Sequence, residues 1–531
     1  MIRSIGLKIL FFVASFFALY HVATEPTPPI RGDGREYILM SQSLLNHGTS
    51  NLEQQDARDV VDSFKSKSQS FNDPVLNCDA HNDCGVSIFF ERAYFPNNNG
   101  KLFSYHFSFY PLVNVPALII TKLISESPTT AFYLTNTLFF IIAIYFLLFF
   151  IKERLLYKTI IIFLFASQTT ISYLKWPHPE VITISMIVIA LCVFKRKMFY
   201  ASSLIFAFAS LQYQPLGIIA ALLLLYAFIS GIKQLDIRSI KGLIENKKFA
   251  VKTVIYALIS GFVVLTPSLF YLYNFSSPNL IASIGGARSE LVSFSRFISM
   301  YYDLNQGAIL LYPIVLIFSP IIFIISIIKI KEEHSRNIII FTLISVISAI
   351  PCLTTANWNS GAENVMRYAF WVSSPLIFSF TEFVFNIKSK ITKSVILLIT
   401  FASQIAFITM QNNGKFFSIN HVSPSYVGLA FYNHYPSLYN PEAEIYVERA
   451  LNTELSLVGV LNGNSYPGYV KRGNLRKLIA PANMDLTLLN PCPSVTPSIT
   501  DASDGYVYYN YPLGCKVADE TKTAVVMFSP K

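Results

Sequence analysis

The strongest constraint on the fold is a series of apolar runs, each roughly 16–24 residues, about the length that crosses a hydrocarbon core. They fall near 5–23, 131–151, 158–174, 179–194, 199–213, 215–232, 250–273, 308–329, 337–353, 368–386 and 392–410. With 531 residues, 53% of them hydrophobic and 14% charged, the chain carries more apolar surface than one globular core hides. Within lipid each run must be helical, because nothing there satisfies a free backbone N–H or C=O. The expected fold is an all-α polytopic membrane bundle of about 11 transmembrane helices. It comprises residues 1–410, including a structured first external loop at 24–130, and is followed by a small mixed α/β domain at 411–531.

Arg3 and Lys8 precede the first run as in a signal peptide, but "ALYHVATEPTPP" offers a poor small-residue cleavage site, so a retained signal anchor is expected. Lys and Arg cluster in "IKERLLYK", "FKRK", "GIKQLDIRSIKGLIENKKFAVK", "IKIKEEHSRN" and "IKSKITK". With the spans above, all five lie on the side of the N-terminus, which the positive-inside rule assigns to the cytoplasm. The net charge of +10 therefore reports topology, and no nucleic-acid partner is expected.

Cys78 and Cys84 share the first external loop and Cys492 and Cys515 share the tail, as two disulfides in an oxidising compartment would. Cys192 and Cys352 lie in or beside spans and read as packed thiols. Residues 49–84 are polar and read as irregular, with "CDAHNDC" as a disulfide-closed knuckle. The aromatic stretch 102–124 reads as a helix or helix pair in the outer interface, since a crossing there would invert every later loop. Alternation in "DGYVYYNY" and "TAVVMF" predicts strands in the tail.

Chemically capable side chains collect at the external ends of the spans. They are Asp33, Arg35 and Glu36; Lys101, Tyr105 and His106; Lys175, His178 and Glu180; Gln212 and Gln214; Arg288; and Glu363 and Arg367. A ring of polar groups at one depth suits an enzyme acting at the membrane surface, whereas transporters more often hold ionisable groups near mid-bilayer. Each has a plainer reading. Asp33 and Glu36 have the spacing of a capping box. His106 reads equally as a hydrogen-bonded interface residue, and His178 with Glu180 as a polar helix entry. Glu363 and Arg367 have the spacing of a helix ion pair.

The opening "GDGREYILMSQSLLNHG" after a first span resembles the start of the GT-C class of membrane glycosyltransferases, whose relatives include the protein O-mannosyltransferases and the lipid A aminoarabinose transferase. "YHFSFYPLVNVP", "YDLNQGAILLYP", "WNSGAENVMRYAFWVSSP" and "YNPEAEIYVER" resemble bacterial members of that class. The class carries an adjacent acidic pair where this chain has Asp33 and, three residues on, Glu36.

The resemblance implies a glycosyltransferase of the bacterial inner (plasma) membrane, with a cytoplasmic N-terminus and a periplasmic active site and C-terminal domain. It would move a sugar from a polyprenyl-phosphate donor to a glycan, lipid or protein acceptor. On this reading Asp33 is the general base and Glu36 orients it. Arg367 is first choice for the donor phosphate, ahead of Lys101, His106 and Lys175. Tyr105, His178, Glu180 and Gln214 would bind sugar or acceptor, and a divalent cation held with Asp33 is the cofactor left open. The rivals are a flippase for a lipid-linked sugar and a surface-polysaccharide polymerase or ligase; the latter usually has its large external loop late in the chain.

Overall fold

The computed structural model describes residues 2–24, 30, 33–65, 77–78, 84–85, 93–167, 170–235, 246–359, 361–362, 365–411, 424–451, 465–484, 492, 495–502, 505–519 and 521–529. The chain forms two compact units, Met1–Ile162 with Thr170–Gly285, and Phe163–Thr169 with Gly286–Lys531.

The first unit opens with α1 (Ile2–Thr24), α2 (Gly34–His47) and α3 (Gln54–Lys65). Helix α2 stops at Gly48, whose left-handed backbone (φ 72°) lets its N–H reach the Leu44 carbonyl. Helix α3 corrects the expectation that 49–84 is irregular. Its few apolar residues, Ala57, Val60, Val61 and Phe64, share one buried stripe, and that narrow face suffices to order a polar helix.

The two-residue strands β1 (Asn77–Cys78) and β2 (Cys84–Gly85) set Cys78 directly opposite Cys84. The disulfide expected there falls on side chains outside the described residues. The hairpin β3 (Tyr94–Pro96) and β4 (Leu102–Ser104) turns through Gly100 at φ 76°. The stretch 102–124 is thus part strand, then α4 (Phe109–Leu123), a 15-residue helix. One face of α4 buries Tyr110, Asn114, Leu118 and Thr121, while Leu112, Ile119 and Leu123 are exposed, as suits a helix lying in an interface.

There follow α5 (Pro128–Tyr145), α6 (Leu155–Ser167), α7 (Thr170–Leu174), α8 (Glu180–Lys195), α9 (Phe199–Ser210), α10 (Leu216–Gln234), α11 (Lys247–Phe275) and α12 (Leu280–Ser283). Ser127 caps α5 by accepting from Thr129 N–H, and Pro128 fills the first position, where a missing N–H costs nothing.

The second unit holds α13 (Phe294–Tyr302), α14 (Pro313–Ile328), α15 (Glu333–Cys352), the short pair β5 (Gly361–Ala362) and β6 (Val365–Met366), α16 (Arg367–Val372), α17 (Ser374–Asn386) and α18 (Lys390–Gln411). Then come α19 (Tyr426–His434), α20 (Ala443–Leu451) and strands β7 (Tyr466–Lys471), β8 (Asn474–Pro481), β9 (Ser498–Asp501), β10 (Tyr506–Lys516) and β11 (Ala524–Phe528). These strands make one antiparallel sheet of order β11-β7-β8-β10-β9, with "DGYVYYNY" leading into β10 and "TAVVMF" on β11. Tyr446 and Val447 of α20 pack with Leu475, Leu478 and Tyr508 of the sheet in one core.

Among the described residues each apolar run read from sequence falls mostly on helix, and seven helices, rather than about eleven, are long and apolar enough to cross a membrane: Gly6–Thr24, Pro128–Phe150, Leu216–Gln234, Lys247–Phe275, Glu333–Cys352, Arg367–Asn386 and Lys390–Thr409. Cys192 and Cys352 are buried free thiols, as expected.

Cys492 and Cys515 form a disulfide, with Cα atoms 6.2 Å apart and a sequence separation of 23. Closing a loop of that size restricts the unfolded chain and stabilises by about 3 kcal/mol on the chain-entropy model. Cys515→Ser should therefore lower the unfolding midpoint of the C-terminal sheet. Reduction of the native chain should reproduce the loss and leave the variant unchanged, as followed by thermal melts.

Candidate functional site

In the first unit the turn that enters α2, the exit of the β3–β4 hairpin and the loop before α8 come together. Position 34 allows this: a Cβ there would lie 2.5 Å from Pro177 Cγ and 3.3 Å from Ile30 Cγ2, so only glycine lets the start of α2 close on the Trp176–Pro177–His178 turn.

Asp33 stands at the N-cap of α2, with φ −63° and ψ −8°, and its side chain makes no capping hydrogen bond. The capping-box reading therefore does not describe this turn. Glu36 turns instead to His106, whose Nδ1 lies 3.1 Å from both carboxylate oxygens. His106 Nε2 sits 3.9 Å from Asp33 Oδ2. One imidazole thus bridges the two carboxylates. Against an ionised Glu36, which can only accept, Nδ1 carries the proton and Nε2 is turned towards Asp33.

Glu36 is almost fully buried (4% exposed), whereas Asp33 keeps 21% and His106 16% of their side-chain exposure. Burial pushes the Glu36 carboxyl above its usual value; the charge and hydrogen bond of His106 pull it back, and Asp33 pushes it up further.

Aromatic rings hold the imidazole from two sides. The Tyr105 ring lies 4.2 Å from that of His106, and Tyr37 lies 5.4 Å from it. Tyr37 also meets His178 edge-on at 5.8 Å, so one tyrosine touches both histidines. His178 stacks on Trp176 at 3.6 Å. Its Nδ1 is 3.9 Å from Glu180 Oε2, and Glu180 accepts from Tyr213 Oη at 2.7 Å. Glu180 is the first residue of α8, where the positive end of the helix dipole favours a carboxylate. Further back, Gln212 accepts from Tyr110 N–H at 3.0 Å. Asn136 accepts from Tyr110 Oη at 3.1 Å and donates to the Trp176 carbonyl at 2.9 Å.

The structure therefore brings together Asp33, Glu36, Tyr105, His106, His178 and Glu180. Sequence reading missed the residues that space them, Tyr37, Trp176 and Tyr213, although aromatic residues beside each motif were the available signal. Lys175 precedes Trp176 and is half-buried. Lys101 is exposed on the hairpin turn, where its backbone N–H donates to Asn97 Oδ1. Gln214 is half-buried beside Tyr213. Arg288 and Arg367 belong to the second unit; Arg288 is exposed, and the Arg367 guanidinium lies 5.3 Å from the Tyr368 ring. Glu363, the expected partner of Arg367, lies outside the described residues. Among the described residues no group of three or more His, Cys, Asp or Glu side chains is arranged to hold a metal ion.

The second unit contains a buried polar network that sequence reading did not resolve into residues. Glu444 accepts from Trp358 Nε1 at 3.1 Å and pairs with Arg296 at 3.5 Å. One turn on, Glu448 accepts from Asn359 at 2.8 Å and Gln306 at 3.2 Å. Asp303 accepts from Asn305 and Gln306 N–H at 2.7 and 2.9 Å and from Tyr439 Oη at 3.0 Å. "YDLNQG", "WNSG" and "YNPEAEIYVER" thus supply one interlocked set. Burial pushes the Asp303 carboxyl up to about 6, against its hydrogen bonds and the charge of Arg449, which pull it down.

Two outcomes follow. Gly34→Ala should overpack the α2 entry against Pro177 and cost about 1–3 kcal/mol in thermal or denaturant unfolding, with no such penalty for Gly261→Ala, where a Cβ meets nothing. Because the Asp303 carboxyl is raised on folding, its contribution favours the folded state below the unfolded value and is lost as pH rises through about 6. The unfolding midpoint of the native chain should fall across that pH relative to Asp303→Asn, which lacks the titrating group.

Compared with protein-family models, with curated proteins and with solved structures, the chain matches none.

Proposed function

We propose that the chain is a membrane glycosyltransferase. It moves a sugar from a polyprenyl-phosphate donor to an acceptor hydroxyl at the non-cytoplasmic (periplasmic) face of a bacterial inner membrane, with about eleven crossings of the bilayer. The observation that carries this reading is the carboxylate–imidazole–carboxylate arrangement of Asp33, His106 and Glu36 at a helix entry. It is supported by apolar helices able to cross a membrane in the same unit, which suit a donor with a lipid tail.

In the proposed reaction the Asp33 carboxylate accepts the proton of the acceptor hydroxyl as its oxygen attacks the anomeric carbon. The bond from that carbon to the phosphate oxygen breaks, polyprenyl phosphate leaves, and the anomeric centre is inverted. As the imidazolium, His106 sets an opposite charge 3.9 Å from the Asp33 carboxylate, and Glu36 in turn holds the imidazole. This makes His106 a positioning residue and leaves the phosphate to Lys175, Lys101 and Arg367 as chemical candidates. Tyr105, His178, Glu180 and Gln214 are proposed to contact sugar or acceptor hydroxyls. No step is routed through a metal ion.

The test uses the purified chain with a polyprenyl-phosphate-linked sugar, following release of polyprenyl phosphate and inversion at the transferred sugar. Asp33→Asn should fold and insert normally and lose about a hundredfold or more of transfer rate, the usual scale of a positioned base. His106→Gln should lower kcat and alter the pH profile with little change in KM. Transfer undiminished in Asp33→Asn removes Asp33 from the mechanism. A native chain that relocates the lipid with its glycosidic bond intact is a flippase. Mass analysis of surface glycans with and without the chain then names the sugar.

A further inference from the structure

A cavity of about 320 Å³ lies in the first unit where the α8–α9 turn meets the end of α10 and the start of α11. Lys197, Tyr200, Ser230, Phe249, Lys252 and Tyr256 form much of its wall. It owes its space to a close helix crossing: a Cβ on Gly231 would lie 2.2 Å from Phe249 Cε2, and Phe228 stacks on Phe249 at 6.0 Å. Two of its described lining residues are lysines and none is acidic.

Both lysines are held in the wall. Lys197 closes the α8–α9 turn, its N–H donating to the Phe194 carbonyl at 2.7 Å, with its backbone in the left-handed region at φ 61°. That conformation costs a lysine more than glycine or asparagine. Lys252 places its ammonium 5.1 Å from the Tyr200 ring, and Tyr200 Oη is fixed by Thr253 at 2.7 Å.

We propose that this cavity binds the phosphate headgroup of an anionic phospholipid, with Lys197 and Lys252 on the phosphate and an acyl chain along α10 and α11. The proposal rests on the chain spanning a membrane and is independent of the transfer chemistry. Three features select a lipid. The cavity combines cationic and aromatic walls. It lies at the ends of α10 and α11, both long and apolar enough to cross a bilayer. Those helices also present Leu225, Ile229, Val251 and Ile255 exposed, a surface an acyl chain can cover. From sequence, Lys197 and Lys252 belong to the basic "FKRK" and "KKFAVK" stretches assigned to the cytoplasmic side, where anionic lipid concentrates.

The test is thermal unfolding and native mass spectrometry of the full chain in neutral detergent. Phosphatidylglycerol, phosphatidylcholine and inorganic phosphate are added in separate arms. Phosphatidylglycerol should raise the unfolding midpoint and remain bound, and the other two should not. Lys197→Asn with Lys252→Gln, in which asparagine tolerates the left-handed turn, should weaken phosphatidylglycerol binding about thirtyfold without moving the lipid-free midpoint. If that midpoint moves, Lys197→Arg with Lys252→Arg decides, because it must keep the binding. Equal stabilisation by phosphatidylcholine, the same effect from inorganic phosphate alone, or undiminished binding by the neutral variant each overturns the proposal.

Discussion

A carboxylate withdrawn from water must be given donors or an opposite charge, and that requirement shapes both units. Removing a buried ion from water costs several kcal/mol, and only close, well-directed partners offset it. Glu36 has His106, and Glu180 has the Tyr213 hydroxyl and a helix N-terminus. Glu444 has Arg296 and Trp358, and Glu448 has Asn359 and Gln306. Each pairing joins residues remote in sequence, so each also fixes how loops and helix ends meet.

Where lipid demands closed helical hydrogen bonding, chemistry is displaced to helix ends and connecting turns. The first unit shows how such turns are brought to one place. Gly34 removes the one side chain that would hold α2 off the Pro177 turn. Tyr37, on the next turn of α2, then lies between the two histidines. A short hairpin delivers Tyr105 and His106, and the Tyr105 carbonyl accepts from Tyr271 Oη at 2.9 Å. No single element carries the cluster, so it forms only when α2, the hairpin and the loop before α8 are all in register.

Much of this was legible. Runs of apolar residues specify helices in lipid almost without regard to detail, and among the described residues every run read from sequence lies mostly on helix. The charged turn at 33–36, with Asp33, Arg35 and Glu36, and the "WPHPE" turn, with His178 and Glu180, stood out as ionisable groups at helix ends. Helix α3 was legible but overlooked: Ala57, Val60, Val61 and Phe64 stand at i, i+3, i+4 and i+7, the spacing of one helix face, inside an otherwise polar window. Glu444 and Glu448 were not legible: acids four apart in a tail read as a solvated face. The available signal was their company, since Ile445, Tyr446 and Val447 between them are all buried. What sequence could not supply was the partner, because Gln306 and Asn359 lie far away along the chain.

The same chemistry, acids among aromatic and amide groups, thus serves two ends, and accessibility separates them. Asp303 is 4% exposed and its carboxylate receives three hydrogen bonds, so an incoming hydroxyl would have to displace donors to reach it. Asp33 keeps a fifth of its surface, spends no oxygen on capping α2 and faces an imidazole at 3.9 Å, outside hydrogen-bond distance. A proton acceptor has to be reachable and held at once. Glu36 supplies the holding from a buried position through His106, so Asp33 need not be buried to be oriented. A closed network resists motion; a partly exposed carboxylate beside a held imidazole leaves room for a substrate.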